Sequence, residues 1–278
     1  MGFNFTQIMN NKKKPVYTEN LNKFPTALPK SSIKDVEALN IAGRALTPLS
    51  LGSDGFVYCS DGAVRGAMAR TNDGFTTVEN GFNFGAIEAG FIKSATKTKN
   101  GYVVVVSKGS LDADGAAIYY STSFTSGFTK VLDMALTTDR VAISWEHNGP
   151  SGNTIGFVGE YTQVLNTPHK LYMTLDGGET WRMVKATTIT DPTKNSHWHN
   201  ACYDPYSGKI FASHGDWTNS RFYVSIDLAY TWTEITVSEN DYGLVNTIPG
   251  IQTIILIPTT NKIVLASDAL TVPAIWSL

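Results

Sequence analysis

Charge and sulfur are both scarce in this 278-residue chain. Charged residues make up 17%, and 22 Lys and Arg stand against 24 Asp and Glu, for a net charge of −2. That balance leaves no basic footprint able to track phosphates, so neither nucleic acid nor an anionic membrane is an expected partner. Only two cysteines occur, Cys59 and Cys202. They lie far apart in the repeat described below, too far to bridge, and are expected to be buried thiols. No apolar run reaches the roughly 20 residues of a membrane span. The N-terminal stretch MGFNFTQIMNNKKKPVY also lacks a charged region followed by an apolar core, so export by a cleavable signal is not expected; release by lysis would fit.

Turn residues, aromatics and a long-period repeat are what the chain does have. Aromatics make up 11%, and there are 24 glycines, as suits many strands joined by tight turns. One turn motif recurs as TLDGGETW from Thr174 and SIDLAYTW from Ser225, with weaker copies TNDGFTT from Thr71 and STSFTSGFT from Ser121. Ser277 falls where the next copy would begin. The starting positions 71, 121, 174, 225 and 277 differ by 50, 53, 51 and 52. A period of about 50 residues built from short strands predicts radially repeated sheets, a β-propeller.

Aligned on the motif, each repeat has an inner strand, an apolar second strand, a third strand entering the motif and a fourth leaving it. The second strands read GFVYCS, YVVVVSKG, TIGFVGEY, KIFASHGD and KIVLASDA; the third read GAMART, AIYYST, KLYMTL, RFYVSI and AIWSL. Five sets predict an all-β, five-bladed propeller over residues 31–278. Because the fifth set ends at Leu278 after its third strand, an N-terminal strand over Ile33 to Asn40 is expected to add there and close the ring, since an open edge invites aggregation.

The two good motif copies resemble the Asp-box of the sialidase-like propeller superfamily, Ser/Thr-x-Asp-x-Gly-x-Thr-Trp. The resemblance covers most of residues 44–278 and implies a scaffold rather than an activity. It implies that Asp176 and Asp227 accept backbone N–H bonds, that Gly178 takes positive φ, and that Trp181 and Trp232 pack between blades. Ala229 replaces the Gly, Ser123 replaces the Asp after Ser121, and TNDGFTT, with Thr71 and Asp73, reads as one residue short.

Residues 1–30 fall outside the repeat and form a polar leader with Phe3, Phe5 and Ile8 and a Lys12, Lys13, Lys14 cluster. Such a segment is either a disordered leader or an arm that orders on another subunit. The densest chemistry lies in NSHWHNACYDPYSGKIFASHGDW, from Asn195 to Trp217. His197 and His199, two apart on an inner strand, are expected on one face, with Trp198 between them and His214 and Asp216 ending the next strand. These side chains either fill the propeller axis, bind a ligand such as a sugar, or hold a divalent metal; neither a metal nor a cofactor is expected. Asp204, Pro205 and Gly208 read as a turn.

Sialidases combine three substrate-carboxylate arginines, a Tyr–Glu nucleophile pair and an Asp acid. Arg44, Arg65, Arg70, Arg140, Arg182 and Arg221 do not reproduce that pattern, and no Arg-Ile-Pro segment precedes the first motif. Asp61, Glu160, Asp216 and Asp268 recur near second-strand ends, where acids either suit exposed loops or supply a carboxylate pair for glycoside chemistry. The leading expectation is therefore a non-enzymatic propeller. With its degenerate motifs and polar leader the chain resembles bacteriophage virion proteins, which implies a tail, neck or capsid component anchored through the arm to other virion subunits, with cell-surface glycan as a candidate ligand. The alternatives are a carbohydrate-active enzyme (glycosidase or lyase) or lectin of the same fold, and an assembly chaperone.

Overall fold

The computed structural model describes residues 39–41, 44–62, 64–87, 90–107, 115–134, 141–161, 166–188, 197–215, 221–235, 253–258, 263–267 and 275–277. Antiparallel sheets follow one another in chain order. The first holds β1 (Leu39–Ile41), β2 (Arg44–Leu51), β3 (Val57–Asp61), β4 (Ala67–Thr71) and β5 (Glu79–Asn83). The second holds β6 (Ile92–Lys97), β7 (Tyr102–Ser107), β8 (Ala116–Ser121) and β9 (Thr129–Met134). The third holds β10 (Val141–Glu146), β11 (Ile155–Glu160), β12 (Pro168–Thr174) and β13 (Arg182–Thr188). The fourth holds β14 (Trp198–Asp204), β15 (Lys209–His214), β16 (Arg221–Ser225) and β17 (Thr233–Ile235). The last group is β18 (Thr253–Pro258), β19 (Ile263–Ser267) and β20 (Ile275–Ser277). Among the described residues the helical segments are two 3₁₀ turns, Phe84–Ala86 and Pro150–Gly152.

Strand register reproduces the sequence repeat. The first residue of each turn motif pairs with the start of its second strand: Thr71 with Val57, Ser121 with Tyr102, Thr174 with Gly156, Ser225 with Ile210 and Ser277 with Val264. Where the fourth strand is described, the motif forms the hairpin between third and fourth strands.

The apolar second strands β7 and β11 are buried on both sides because the second and third sheets are each packed between neighbours. In β7, Val104 and Val106 pack with Tyr58, Met68 and Phe84 of the first sheet region, while Val103 and Val105 pack with Val158 and Tyr172 of the third sheet. Phe157 of β11 in turn faces Trp198, Ala201 and Ala212 of the fourth. A buried side chain of this size contributes about 1.5–3 kcal/mol, so these seams, rather than the hydrogen-bonded edges, hold the sheets together. This face-to-face stacking of successive meanders is the arrangement of propeller blades. Cys59, at the register position of Val104, Val158 and Ala212, is also fully buried, with Leu46 and Ala69. Both cysteines are unbridged and buried, as expected.

First strands tie sheet to sheet by polar contacts. The Ser50 hydroxyl donates to the Ala95 carbonyl, and Ser144, at the same register position two sheets later, donates to the Ala201 carbonyl. The Trp145 indole N–H donates to Ser94 Oγ at 3.1 Å. β-Bulges interrupt four first strands, at Leu49, Lys93, His199 and Ile254.

Two sequence expectations change here. Residues Leu39–Ile41, which include the end of the expected closing strand, pair with β2 through Ile41 and Arg44. A hairpin with two intervening residues closes at far lower entropic cost than a contact with the distant C-terminal strands. The rest of that segment, residues 33–38, and the arm with Phe3, Phe5, Ile8, Lys12, Lys13 and Lys14 lie outside the described residues. The first motif copy is also of full length, because Thr71, Asp73 and Thr77 keep the spacing of Thr174, Asp176 and Thr180. Its Gly and its Trp are missing, replaced by Phe75 and Val78.

Candidate functional site

The turn motifs form one hydrogen-bond network three times. In each, the first hydroxyl donates to the Asp: Thr71 to Asp73 at 2.9 Å, Thr174 to Asp176 at 2.7 Å and Ser225 to Asp227 at 2.7 Å. The same hydroxyl accepts the N–H four residues on, from Phe75, Gly178 and Ala229. Each Asp then accepts from both the N–H and the hydroxyl of the following Thr, at positions 77, 180 and 231. Bonds from Thr77 and Thr231 hold Asp73 and Asp227 down at about 2. For Asp176 burial pushes upward, but the Thr180 hydroxyl and N–H prevail and its carboxyl is lowered.

Tight reversal in these turns needs two consecutive residues at positive φ. They are Gly74 and Phe75 (68° and 70°), Gly177 and Gly178 (77° and 99°), and Leu228 and Ala229 (55° and 66°). Glycine is demanded sterically only in the third sheet, where a Cβ on Gly178 would sit 2.2 Å from Val103 Cγ2. The turn therefore docks on the preceding sheet, and Thr98 Oγ1 donates to the Gly177 carbonyl at 2.9 Å. Trp181 packs edge-on to Trp145, and the Trp232 N–H donates to the Val184 carbonyl at 3.0 Å, so both sit against neighbouring strands and are half-buried. In the second sheet Ser121 accepts from Ser123 N–H instead, since no Asp is present.

The histidines gather at the opposite end of the third and fourth sheets, in the seam between them. Trp198 is fully buried and donates to the His169 carbonyl at 3.0 Å. The ring of His214 meets Trp198 edge-on at 4.7 Å and lies 5.8 Å from that of His169. His197 stacks on Tyr161 with centroids 3.4 Å apart and touches His199 at 4.4 Å. His169, His197 and His214 are no more than 2% exposed, whereas His199, re-aimed by its bulge, is half-buried. Burial, reinforced by the neighbouring His169 and His199, pushes His214 well below the ordinary histidine range, so its imidazole is neutral at pH 7.

The structure brings His197 to His199 and, separately, Trp198 to His214, whose ring also faces His169, a residue the sequence pattern did not single out. Its signal was the period-two alternation of β12, which puts His169 on the face of Leu171 and Met173. Asp216 and Asp268 lie outside the described residues. Among the described residues, no three His, Cys, Asp or Glu side chains are grouped to hold a metal ion.

Asp61 and Glu160 occupy the register position of His214 and are buried rather than exposed as loop acids would be. Burial raises the Glu160 carboxyl, against the opposing effect of the Lys170 N–H that donates to it at 2.8 Å and of Tyr172, also hydrogen-bonded to it. Four arginines take structural duties: Arg65 lies over the Phe91 ring, Arg70 is held by Glu79 and Asp54, Arg221 pairs with Glu234, and Arg182 donates to the Leu228 carbonyl. Near the motif end, the Leu51 carbonyl accepts from Thr96 Oγ1 at 3.4 Å and His147 Nε2 at 3.1 Å. Asp204 caps the Tyr206–Ser207 turn as expected, accepting from Tyr206 N–H at 3.0 Å.

No protein-family model and no curated protein matches this chain. Solved structures resemble it at low identity. An ancestral GH74 enzyme is 12% identical with a TM-score of 0.49; the match covers 81% of this chain but 29% of that one. A Penicillium chrysogenum α-L-arabinanase complexed with arabinobiose is 13% identical over 85% of this chain and 78% of that one, with a TM-score of 0.49. YCF48 bound to a D1 peptide is 15% identical over 80% and 61%, with a TM-score of 0.48. These are likenesses of overall chain path, and this chain spans less than a third of the GH74 enzyme and under two thirds of YCF48.

Proposed function

We propose that the chain is a five-bladed propeller of the Asp-box type that serves as a non-enzymatic interaction module. Ring closure is supported by Cys59. Its equivalents Val104, Val158 and Ala212 each pack on the preceding sheet, and Cys59 is equally buried with no described sheet before it. In a ring, the last sheet occupies that place. The observation that carries the functional reading is the use made of the reactive side chains. His197, Trp198 and His214 are consumed in inter-sheet packing, with ring contacts on each, instead of lining an open cleft.

In this reading residues 1–30 anchor the module to other subunits, with a bacteriophage virion the favoured setting, and the ring presents its surface outward, glycan being one candidate ligand. Replacing Phe3 and Phe5 together by Ser tests the anchor: incorporation into the assembly should fall while the melting temperature of the isolated protein stays unchanged. Unchanged incorporation would remove the anchoring role.

One observation favours a carbohydrate-active enzyme as the second reading. A carboxyl raised by burial, such as that of Glu160, is the form in which a glycosidase keeps its acid. Turnover of a glycan panel that vanishes in Glu160→Gln, with the fold intact, would establish it.

A further inference from the structure

Four of the five histidines of this chain, His169, His197, His199 and His214, belong to one seam. They come from β12, from the start of β14 and from the end of β15, and three of them are no more than 2% exposed. The seam between the first two sheets is built from Tyr58, Met68, Phe84, Val104 and Tyr119, with His147 reaching only the Leu51 carbonyl at its edge. From this contrast we propose that the seam between the third and fourth sheets is an acid-sensitive joint, which loosens as the pH falls while the first seam holds.

The described surroundings of His214 disfavour its protonation. Arg221 and Lys185 act on His214 as cations, and His169 and His199 become cations on protonation. Tyr223 of β16 faces Trp198 and carries the Lys185 ammonium over its ring at 4.1 Å. Tyr161 is stacked on His197. Of the described carboxylates, Glu234 is engaged by Arg221, and Glu160 by the Lys170 N–H and Tyr172. A second charge in the seam would therefore meet like charge across 5.8 Å, the spacing of the His169 and His214 rings.

The direction of the pH effect follows. His214 binds its proton less readily when packed than when released, so the released form takes up protons first. The seam's full stability is present above about pH 6.5 and is lost progressively below it. Each histidine that charges only on opening lowers the closed-to-open ratio by up to about tenfold per pH unit.

Amide hydrogen exchange of the full chain between about pH 7.5 and about pH 5, corrected for the intrinsic pH dependence, tests this. Protection in β12, β14 and β15 is expected to fall by about tenfold or more per pH unit below about pH 6.5, with β3, β4 and β7 unchanged. His214→Gln and His169→Gln should each flatten that dependence. Equal pH dependence in the two seams would overturn the proposal, as would a folded glutamine variant that keeps the wild-type dependence. If neither variant folds, the comparison of the two seams within the wild-type chain decides. A histidine titration followed by NMR in which these rings charge without loss of protection would also overturn it.

Discussion

The guanidinium of Arg70, on β4 of the first sheet, lies 4.5 Å from the ring centroid of Phe124, in the third-to-fourth strand turn of the second. Phe56 stacks on it at 4.3 Å, Tyr102 Oη accepts from it at 3.2 Å, and Glu79 and Asp54 neutralise it. Arg70 is thus a rivet between two sheets, and burial does not discharge it because the tyrosine and carboxylate bonds raise its pKa. We expect Arg70→Ala to cost about 2 kcal/mol. Arg70→Lys should recover less than half of that, because an ammonium cannot fork to several acceptors while stacking on rings. Urea unfolding midpoints measure both, and equal midpoints for Lys and wild type would contradict the planar-stacking account.

The fifth residue of the motif favours glycine over alanine in both the third and the fourth sheets, strongly in one and weakly in the other. Gly178→Ala places a methyl at φ +99° and 2.2 Å from Val103 Cγ2, and should cost about 3 kcal/mol. Ala229→Gly removes a methyl from a residue at φ +66°, relieving about 1–2 kcal/mol of left-handed strain against about 0.8 kcal/mol of lost burial. A small net gain in melting temperature is the expected result. A large loss would mean that the Ala229 methyl packs more tightly than its turn is strained.

Asp176 supplies a pH prediction. Its folded-state pKa is lowered, so its stabilisation is present above the unfolded value near 3.8 and is lost as the pH falls through the folded one. Asp176→Ala should cost about 1–3 kcal/mol at pH 7, through the Thr174 and Thr180 hydroxyls and the Thr180 N–H it leaves behind. At a pH below its folded value, wild type and variant should converge in stability. Undiminished difference there would assign the loss to packing instead of charge.

Thiol accessibility reports on the first sheet. Burial pushes the Cys59 thiol up to about 11, and raises Cys202 as well, so neither should react with an aromatic disulfide at about pH 8 until the protein unfolds. Removing residues 236–278 should expose Cys59 selectively if the last sheet covers it. Unaltered protection of Cys59 in that truncation would show that another part of the chain does so.

Much of the fold was legible because the repeat is written in residues whose roles are local. The Thr/Ser, Asp and Thr of each turn bond within a span of seven residues, and the second strands must be apolar throughout when a sheet is covered on both sides. The candidate site was less legible because it is assembled across a seam. His169 precedes His214 by 45 residues, and only stacking of the third sheet on the fourth brings them together. Strict alternation also fails at His199, where a bulge intervenes that no residue type announces. The Arg70 rivet was hidden for the same reason, its aromatic partners being drawn from three separate segments.

The shared carbonyl of Leu51 has a mechanical meaning. A hydroxyl from the second sheet and an imidazole from the third meet on one oxygen of the first. Angular displacement of the third sheet is therefore felt by the first directly, without passing through the second, and loosening at either contact would be registered by the other. A force applied at the rim of one blade is gathered at a hub one atom wide.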